Sequence, residues 1–141
     1  MIHFSGHGTA MGHLQLRDGA EDLPTAVDAD WLQELFDHLT PETRLVVLNA
    51  CFSEVFAERV HTDQRIAVGT TSAIADKDAI RFSEIFYRSV LGGRTIAKAV
   101  AATRLILAGE HADISDQICI YPRDGGRFRL NAIRDDGGEP D

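Results

Sequence analysis

A histidine and a cysteine each follow a short apolar segment of this chain, and their side chains could act together in catalysis. His7 comes directly after Ile2-His3-Phe4-Ser5-Gly6, and Cys51 comes directly after Leu45-Val46-Val47-Leu48-Asn49-Ala50. A thiolate is a strong nucleophile, and an imidazole beside it can take up and return the proton that covalent catalysis requires. The types of these two residues therefore predict nucleophilic chemistry if the fold brings them together.

Two parallel β-strands joined by a helix would place both side chains at one edge of a sheet. Apolar residues recur at helical spacing between Trp31 and Leu39, after a cap at Asp28 or Asp30 and before Pro41. The carboxyl ends of neighbouring parallel strands meet at one edge, where open α/β sheets bind ligands. We therefore expect His7 and Cys51 to face each other at that edge.

The rest of the chain continues this alternation of strands and helices. The apolar patterns predict core strands at 2–5, 45–49, 66–69 and 118–121, and helices at 28–39, 53–60, 77–91 and 95–107. A small hairpin is expected from Leu14 and Leu16, with its turn at Asp18-Gly19. This order predicts an α/β fold, a largely parallel sheet flanked by helices, over residues 1–130. The polar residues 131–141 are expected to form a flexible tail.

Only a few core strands are predicted, which is a small number for a stable sheet of this kind. The first of them stands at the start of the given sequence, and no helix pattern precedes it. We therefore expect the sheet to lack its N-terminal strands and to be completed by an upstream segment or by a partner chain.

Composition and charge argue against several classes of function. The chain has 141 residues, of which 44% are hydrophobic and 26% charged, as in ordinary globular domains. Its net charge of −8 argues against nucleic-acid binding, which needs clustered Lys and Arg. No apolar run approaches the roughly 20 residues that span a bilayer, so no membrane partner is expected. The two cysteines lie in different contexts, which favours reduced thiols and a cytoplasmic setting.

Gly8 and the segment after Cys51 add to the predicted chemistry. Because Gly8 has no Cβ atom, its N–H can approach a reacting carbonyl closely and form an oxyanion hole with the N–H of Cys51. Ser53 is expected to cap a short helix directly after Cys51. The N-terminus of that helix would favour the thiolate form of the cysteine.

Three sequence blocks resemble the caspase-like cysteine peptidase superfamily, and they are most similar to its bacterial CHAT-type domains. These blocks are His-Phe-Ser-Gly-His-Gly at 3–8, Leu-Asn-Ala-Cys at 48–51 and the helical block over 79–100. Caspases carry Gln-Ala-Cys, whereas this chain has Asn49 in place of the glutamine. The resemblance covers residues 2–121 and departs from metazoan-type caspases at that position.

The resemblance implies a cysteine endopeptidase that cleaves a protein or peptide substrate and works beside regulatory sensor or repeat domains. It implies that Cys51 is the nucleophile, that His7 is the general acid/base, and that the N–H groups of Gly8 and Cys51 are the oxyanion donors. In such relatives the loop after the third core strand lines the pocket for the residue before the cleaved bond. Asp76 and Asp78 could bind a basic side chain there, or they could instead cap the following helix. No cofactor and no metal ion are expected.

Two other interpretations stay open at this point. A catalytically inactive caspase-like domain could serve as a binding or scaffold module, and a fully buried Cys51 without an adjacent cleft would favour it. Alternatively, His3, His7 and His13 could join Cys51 in binding zinc, which needs four ligands in a structural site.

Overall fold

A computed structural model describes residues 1–15, 26–110 and 113–123, which form alternating strands and helices. In chain order the elements are β1 (Ile2–Ser5), β2 (His7–Gly8), β3 (Leu14–Gln15), β4 (Ala26–Val27), α1 (Ala29–Leu39), β5 (Leu45–Asn49), α2 (Glu54–Val60), β6 (Ile66–Thr70), α3 (Asp76–Leu91), α4 (Ile96–Gly109), a 3₁₀ turn (Asp113–Asp116) and β7 (Ile118–Tyr121).

The main sheet has the spatial order β1-β5-β6-β7 within the described residues. β1, β5 and β6 are parallel, and β7 pairs antiparallel with β6. The predicted α/β fold with a largely parallel sheet is confirmed. β1 forms one edge of this sheet in the described part of the chain, so its completion by a further segment or chain stays a prediction.

Helices cover both faces of the main sheet and create two hydrophobic layers. Successive residues of β5 point to opposite faces, as in any strand. Val46 and Leu48 pack in the layer of α1 and α2, whereas Leu45 and Val47 pack in the layer of α3 and α4. Because both faces are covered, β5 and β6 are buried along their whole length. This burial explains the continuous apolar runs of the sequence.

Side-chain caps begin two of these helices, and Asp28 is one of the two cap residues that the sequence offers for α1. Asp28 accepts a hydrogen bond from the N–H of Trp31 at the start of α1, over 2.9 Å. Thr95 accepts one from the N–H of Lys98 at the start of α4, over 3.2 Å. None of the described helices has both the length and the apolar character needed to cross a membrane.

Arg65 is a buried cation that ties α1, α2 and the start of β5 together. Its Nε donates to the carbonyl oxygen of Thr43 at 3.1 Å, and its Nη1 donates to that of Val60 at 3.0 Å. The same Nη1 lies 3.2 Å from a carboxylate oxygen of Asp37. The guanidinium also stands over the ring of Phe36, with 5.5 Å between the carbon and the ring centre. This network fixes how the α1–α2 layer sits on the sheet.

A second, smaller sheet carries His7. β2 pairs antiparallel with β3, and β3 pairs antiparallel with β4. Leu14 of β3 is fully buried in the α1–α2 layer and anchors this small sheet to the body of the domain. Leu16 and the predicted turn at Asp18-Gly19 lie outside the described residues, as does the predicted tail over 131–141.

Candidate active site

The parallel pairing of β1 with β5 places His7 and Cys51 at the same end of the main sheet. Ser5 is paired in register with Asn49, and each candidate residue lies two positions beyond its member of that pair. Both side chains line one cavity of about 710 Å³. The expectation that their two strands are parallel neighbours is confirmed.

Gly8 contacts the backbone of Cys51 directly. A Cβ atom at position 8 would lie 1.9 Å from the carbonyl oxygen of Cys51, far inside van der Waals contact. Any side chain here would push β2 away from the turn that carries the cysteine, so only glycine fits. The sequence suggests an approach of Gly8 to a substrate carbonyl, and the structure adds a close approach to Cys51 itself.

The sulfur of Cys51 is held by the loop between β6 and α3. The N–H of Ile74 donates to Sγ at 3.2 Å, and the thiol donates to the carbonyl oxygen of Ile74 at 3.5 Å. Cys51 is half-buried and His7 is exposed, so a substrate entering the cavity can reach both side chains.

The turn after Cys51 has an unusual backbone conformation. Phe52 has a φ of 54°, in the left-handed region that residues with a side chain rarely adopt. Its N–H donates to the carbonyl oxygen of Ser72 at 3.1 Å. The hydroxyl of Thr70 donates to the carbonyl oxygen of Ala50 at 2.7 Å. These bonds from the end of β6 and its following loop fix the direction in which Cys51 points.

Ser53 occupies the N-cap position of α2, as predicted, but its side chain makes no hydrogen bond to the helix. Its hydroxyl instead donates to the carbonyl oxygen of Leu48 at 2.9 Å and accepts from the N–H of Thr70 at 2.9 Å. The physical reason is that Ser53 is fully buried beside the ends of β5 and β6, where these backbone groups need partners. Ser53 therefore links the two strand ends next to Cys51.

Of the two aspartates predicted to bind substrate, Asp76 lines the cavity and Asp78 lies outside its lining. The alternative role as helix caps was wrong for both. Ala75 occupies the N-cap position of α3 without a side-chain bond, and both aspartates lie within the first turn. Negative charge is favourable there because of the partial positive charge at a helix N-terminus.

Asn49 and Glu84 also line the cavity, and the sequence did not identify either as a site residue. Asn49 is 6% exposed, and its Nδ2 donates to the carbonyl oxygen of Ala79 at 2.9 Å and to Oγ of Ser83 at 2.8 Å. A polar residue that ends a fully apolar strand was the available signal for Asn49. Helical spacing assigns Glu84 to the solvent face of α3, and that face reaches the rim of the cavity.

His3 lies outside the cavity lining and has a partner of its own. Its Nδ1 is 2.6 Å from the hydroxyl of Tyr87 on α3. Partial burial lowers the pKa of His3, and burial raises the pKa of Tyr87 to about 12. Both groups are therefore neutral near pH 7, and they share this hydrogen bond. Across the described ranges no three His, Cys, Asp or Glu side chains converge closely enough to hold a metal ion.

Cys119, the second cysteine, is buried in β7. Burial raises the pKa of its thiol to about 11. The thiolate is the reactive form of a cysteine. We therefore expect Cys119 to be unreactive, which makes it a suitable control for the half-buried Cys51.

No protein-family model matches this chain. A curated protein from Runella zeae, named Roc-COR-CHAT protease, is 33% identical to it over 89 residues. That match covers 62% of this chain and 10% of the relative, so the chain spans about a tenth of the length of the curated relative it matches. The similarity points to a CHAT protease domain, and the α/β fold agrees with a caspase-like architecture.

Proposed function

We propose that this chain is a CHAT-type cysteine peptidase domain in which His7 and Cys51 form the catalytic dyad. The observation that carries the proposal is the cavity that both side chains line, at the ends of two strands paired in parallel. The similarity to part of a relative named as a protease supports the class of reaction.

The proposed reaction proceeds through a covalent intermediate. The thiolate of Cys51 attacks the carbonyl carbon of the peptide bond, and the resulting oxyanion accepts hydrogen bonds from the N–H groups of Gly8 and Cys51. The imidazolium of His7 donates its proton to the departing amine as the C–N bond breaks, which leaves a thioester. Water then gives a proton to His7 and attacks the thioester, so that the carboxylic acid leaves and the thiolate returns.

The surroundings of Cys51 do not favour the alternative of an inactive scaffold module. That alternative predicts a fully buried sulfur without an adjacent cleft. Cys51 is instead half-buried and lines a cavity together with His7. We further propose that the substrate is a protein or peptide chain and that the domain is the protease module of a larger, regulated protein.

The test is cleavage and labelling by the full chain with one cysteine removed at a time. We expect the unmodified chain to cleave members of a peptide library and to react with a thiol-reactive peptide probe. Cys51→Ala should abolish both activities. Cys119→Ala is the matched control and should keep both, because that buried thiol has a raised pKa. Labelling that survives in Cys51→Ala would reject Cys51 as the nucleophile.

A further inference from the structure

The cavity beside Cys51 offers negative charge and hydrogen-bond acceptors. The carboxylates of Asp76 and Glu84 line it, and no lysine or arginine does so among the residues that the structure describes. Ile74 and Ile80 add apolar surface to the same lining. A long side chain with an apolar stem and a cationic end matches this combination.

Asn49 supplies a buried acceptor that has no partner. Its Oδ1 accepts no hydrogen bond from any described residue. The amide cannot simply be rotated to exchange its two ends, because the carbonyl oxygen of Ala79 can only accept and so must face Nδ2. Among the described residues of the lining, Asn49 is the one that is buried, with 6% of its surface exposed. Buried polar atoms without partners are rare in folded proteins and call for an explanation.

The carboxylates of Asp76 and Glu84 are only weakly paired with cationic side chains of the described residues. Glu84 lies 3.7 Å from Arg81, but that guanidinium makes its short contacts, at 2.6 and 2.9 Å, with Glu110. Asp76 takes part in none of the ion pairs formed between described residues. The charge of the cavity is therefore incompletely compensated within the described part of the protein.

Resting on the proposed peptidase function, we infer that this cavity binds the side chain of a lysine or arginine directly before the cleaved bond. The nitrogen atoms of either side chain only donate hydrogen bonds, so one donor satisfies Oδ1 of Asn49 while the charge faces Asp76 and Glu84. An apolar side chain would leave Oδ1 without a partner, and an acidic one would meet like charge. Cys51 lines the same cavity and attacks the carbonyl of the residue whose side chain is held there.

The first test measures binding without cleavage. Two N-acetylated tetrapeptide amides, identical except for arginine or citrulline at one position, are titrated against the full chain carrying Cys51→Ala. Citrulline has nearly the shape of arginine but no charge. At low salt we expect the arginine peptide to bind at least about five-fold more tightly, the upper range for an exposed ion pair. Equal binding of the two peptides would overturn the inference.

Charge-removing variants locate the effect in the cavity. In the same Cys51→Ala background, the double change Asp76→Asn and Glu84→Gln should bring the ratio of the two affinities close to one. Asp78→Asn is the matched control, because it removes the same charge from the same helical turn outside the cavity lining, and it should keep the preference. A preference for arginine that survives the double change would overturn the assignment of this cavity.

Cleavage separates the failure of this inference from the failure of the proposed function. Cleavage that depends on Cys51 but prefers an apolar or acidic residue before the cut bond would reject the inference and leave the peptidase standing. Preferential binding of the arginine peptide by the cavity, without any cleavage by the unmodified chain, would keep the cavity as a site for a cationic side chain but reject the proposed function, and with it the position before a cleaved bond.

Discussion

At the scale of single residues, the contact between Gly8 and the carbonyl of Cys51 holds the two parts of the candidate site together. Gly8 belongs to the small sheet, whereas Cys51 follows a strand of the main sheet. Their backbones approach so closely that no Cβ atom fits between them. The distance between His7 and Cys51 therefore depends on a residue that has no reactive group.

Gly8→Ala should damage both stability and activity. The added methyl would lie 1.9 Å from a backbone oxygen, so the two segments must move apart. We expect a loss of about 1–3 kcal/mol in the free energy of unfolding, as for other overpacked sites. We expect a loss of about 100-fold in kcat/KM, because catalysis is sensitive to displacements near 1 Å.

Urea denaturation and peptide cleavage measure these two effects. Gly109→Ala is the control, since a Cβ atom there meets nothing within 4 Å, and we expect it to keep both properties. Unchanged stability and activity in Gly8→Ala would contradict the described contact.

His3 should make stability depend on pH below about 6.5. Partial burial lowers the pKa of His3 in the folded protein from its ordinary value of 6.5. Above that pH the imidazole is neutral in both states, and the full stability is present. As pH falls below 6.5, the unfolded chain binds a proton at His3 before the folded protein does. The free energy of unfolding therefore decreases until the pH has fallen below the lowered pKa of His3 in the folded protein. Denaturation at several pH values should show a shallower decrease for His3→Gln, and an equally steep decrease would be the contrary result.

The sequence identified His7, Gly8 and Cys51 because their types suggest chemistry when they follow apolar strands. It could not identify Asn49 or Glu84 in the same way. Amides and carboxylates are common at strand ends and on helix surfaces. Asn49 and Glu84 line the same cavity only because α3 packs beside the end of β5. That packing depends on contacts distant in sequence.

At the scale of elements, the positions of the core strands and helices follow from hydrophobic periodicity, but their directions and smaller partners do not. β7 was predicted at its observed position. Its antiparallel direction could not be predicted, because a continuous run of buried residues has the same apolar pattern in a parallel and in an antiparallel strand. β2 and β4 have two residues each, too few to show any period. Ser53 was predicted at the correct helix boundary, but its hydroxyl bonds to the backbone of Leu48 and Thr70 instead of to the helix.

Arg65→Ala should strongly destabilise the layer formed by α1 and α2. The change leaves buried carbonyl oxygens of Thr43 and Val60 without this donor and removes the cation beside Asp37. We expect a loss of about 2–4 kcal/mol in the free energy of unfolding, because each buried carbonyl left without a donor costs about 1–3 kcal/mol. Arg65→Lys should recover only part of it, because an ammonium group cannot reach all these partners at once.

The matched control is Arg59→Ala, which removes an exposed ion pair between α2 and Asp30 of α1. Denaturant titration should show a loss below about 1 kcal/mol for this variant. Equal losses for Arg59→Ala and Arg65→Ala would mean that the buried network has no special role.

At the scale of the whole molecule, the candidate site lies at one end of the main sheet and is built from several segments that are separate in sequence. β1 leads into His7, β5 leads into Cys51, and the loop after β6 supplies the hydrogen bonds to the sulfur. α3 then provides Asp76 and the bonds that hold Asn49. The two hydrophobic layers keep these segments in place, so the site depends on the fold as a unit.

The rate at which Cys51 reacts with an electrophilic peptide, with and without His7, tests the central claim most directly. Intact-mass measurements on the full chain with a peptidyl acyloxymethyl ketone should show one adduct, located on Cys51. His7→Asn should slow its formation by at least about 100-fold, the contribution of a positioned acid/base. An adduct that forms on Cys51 at the same rate without His7 would contradict the proposed dyad.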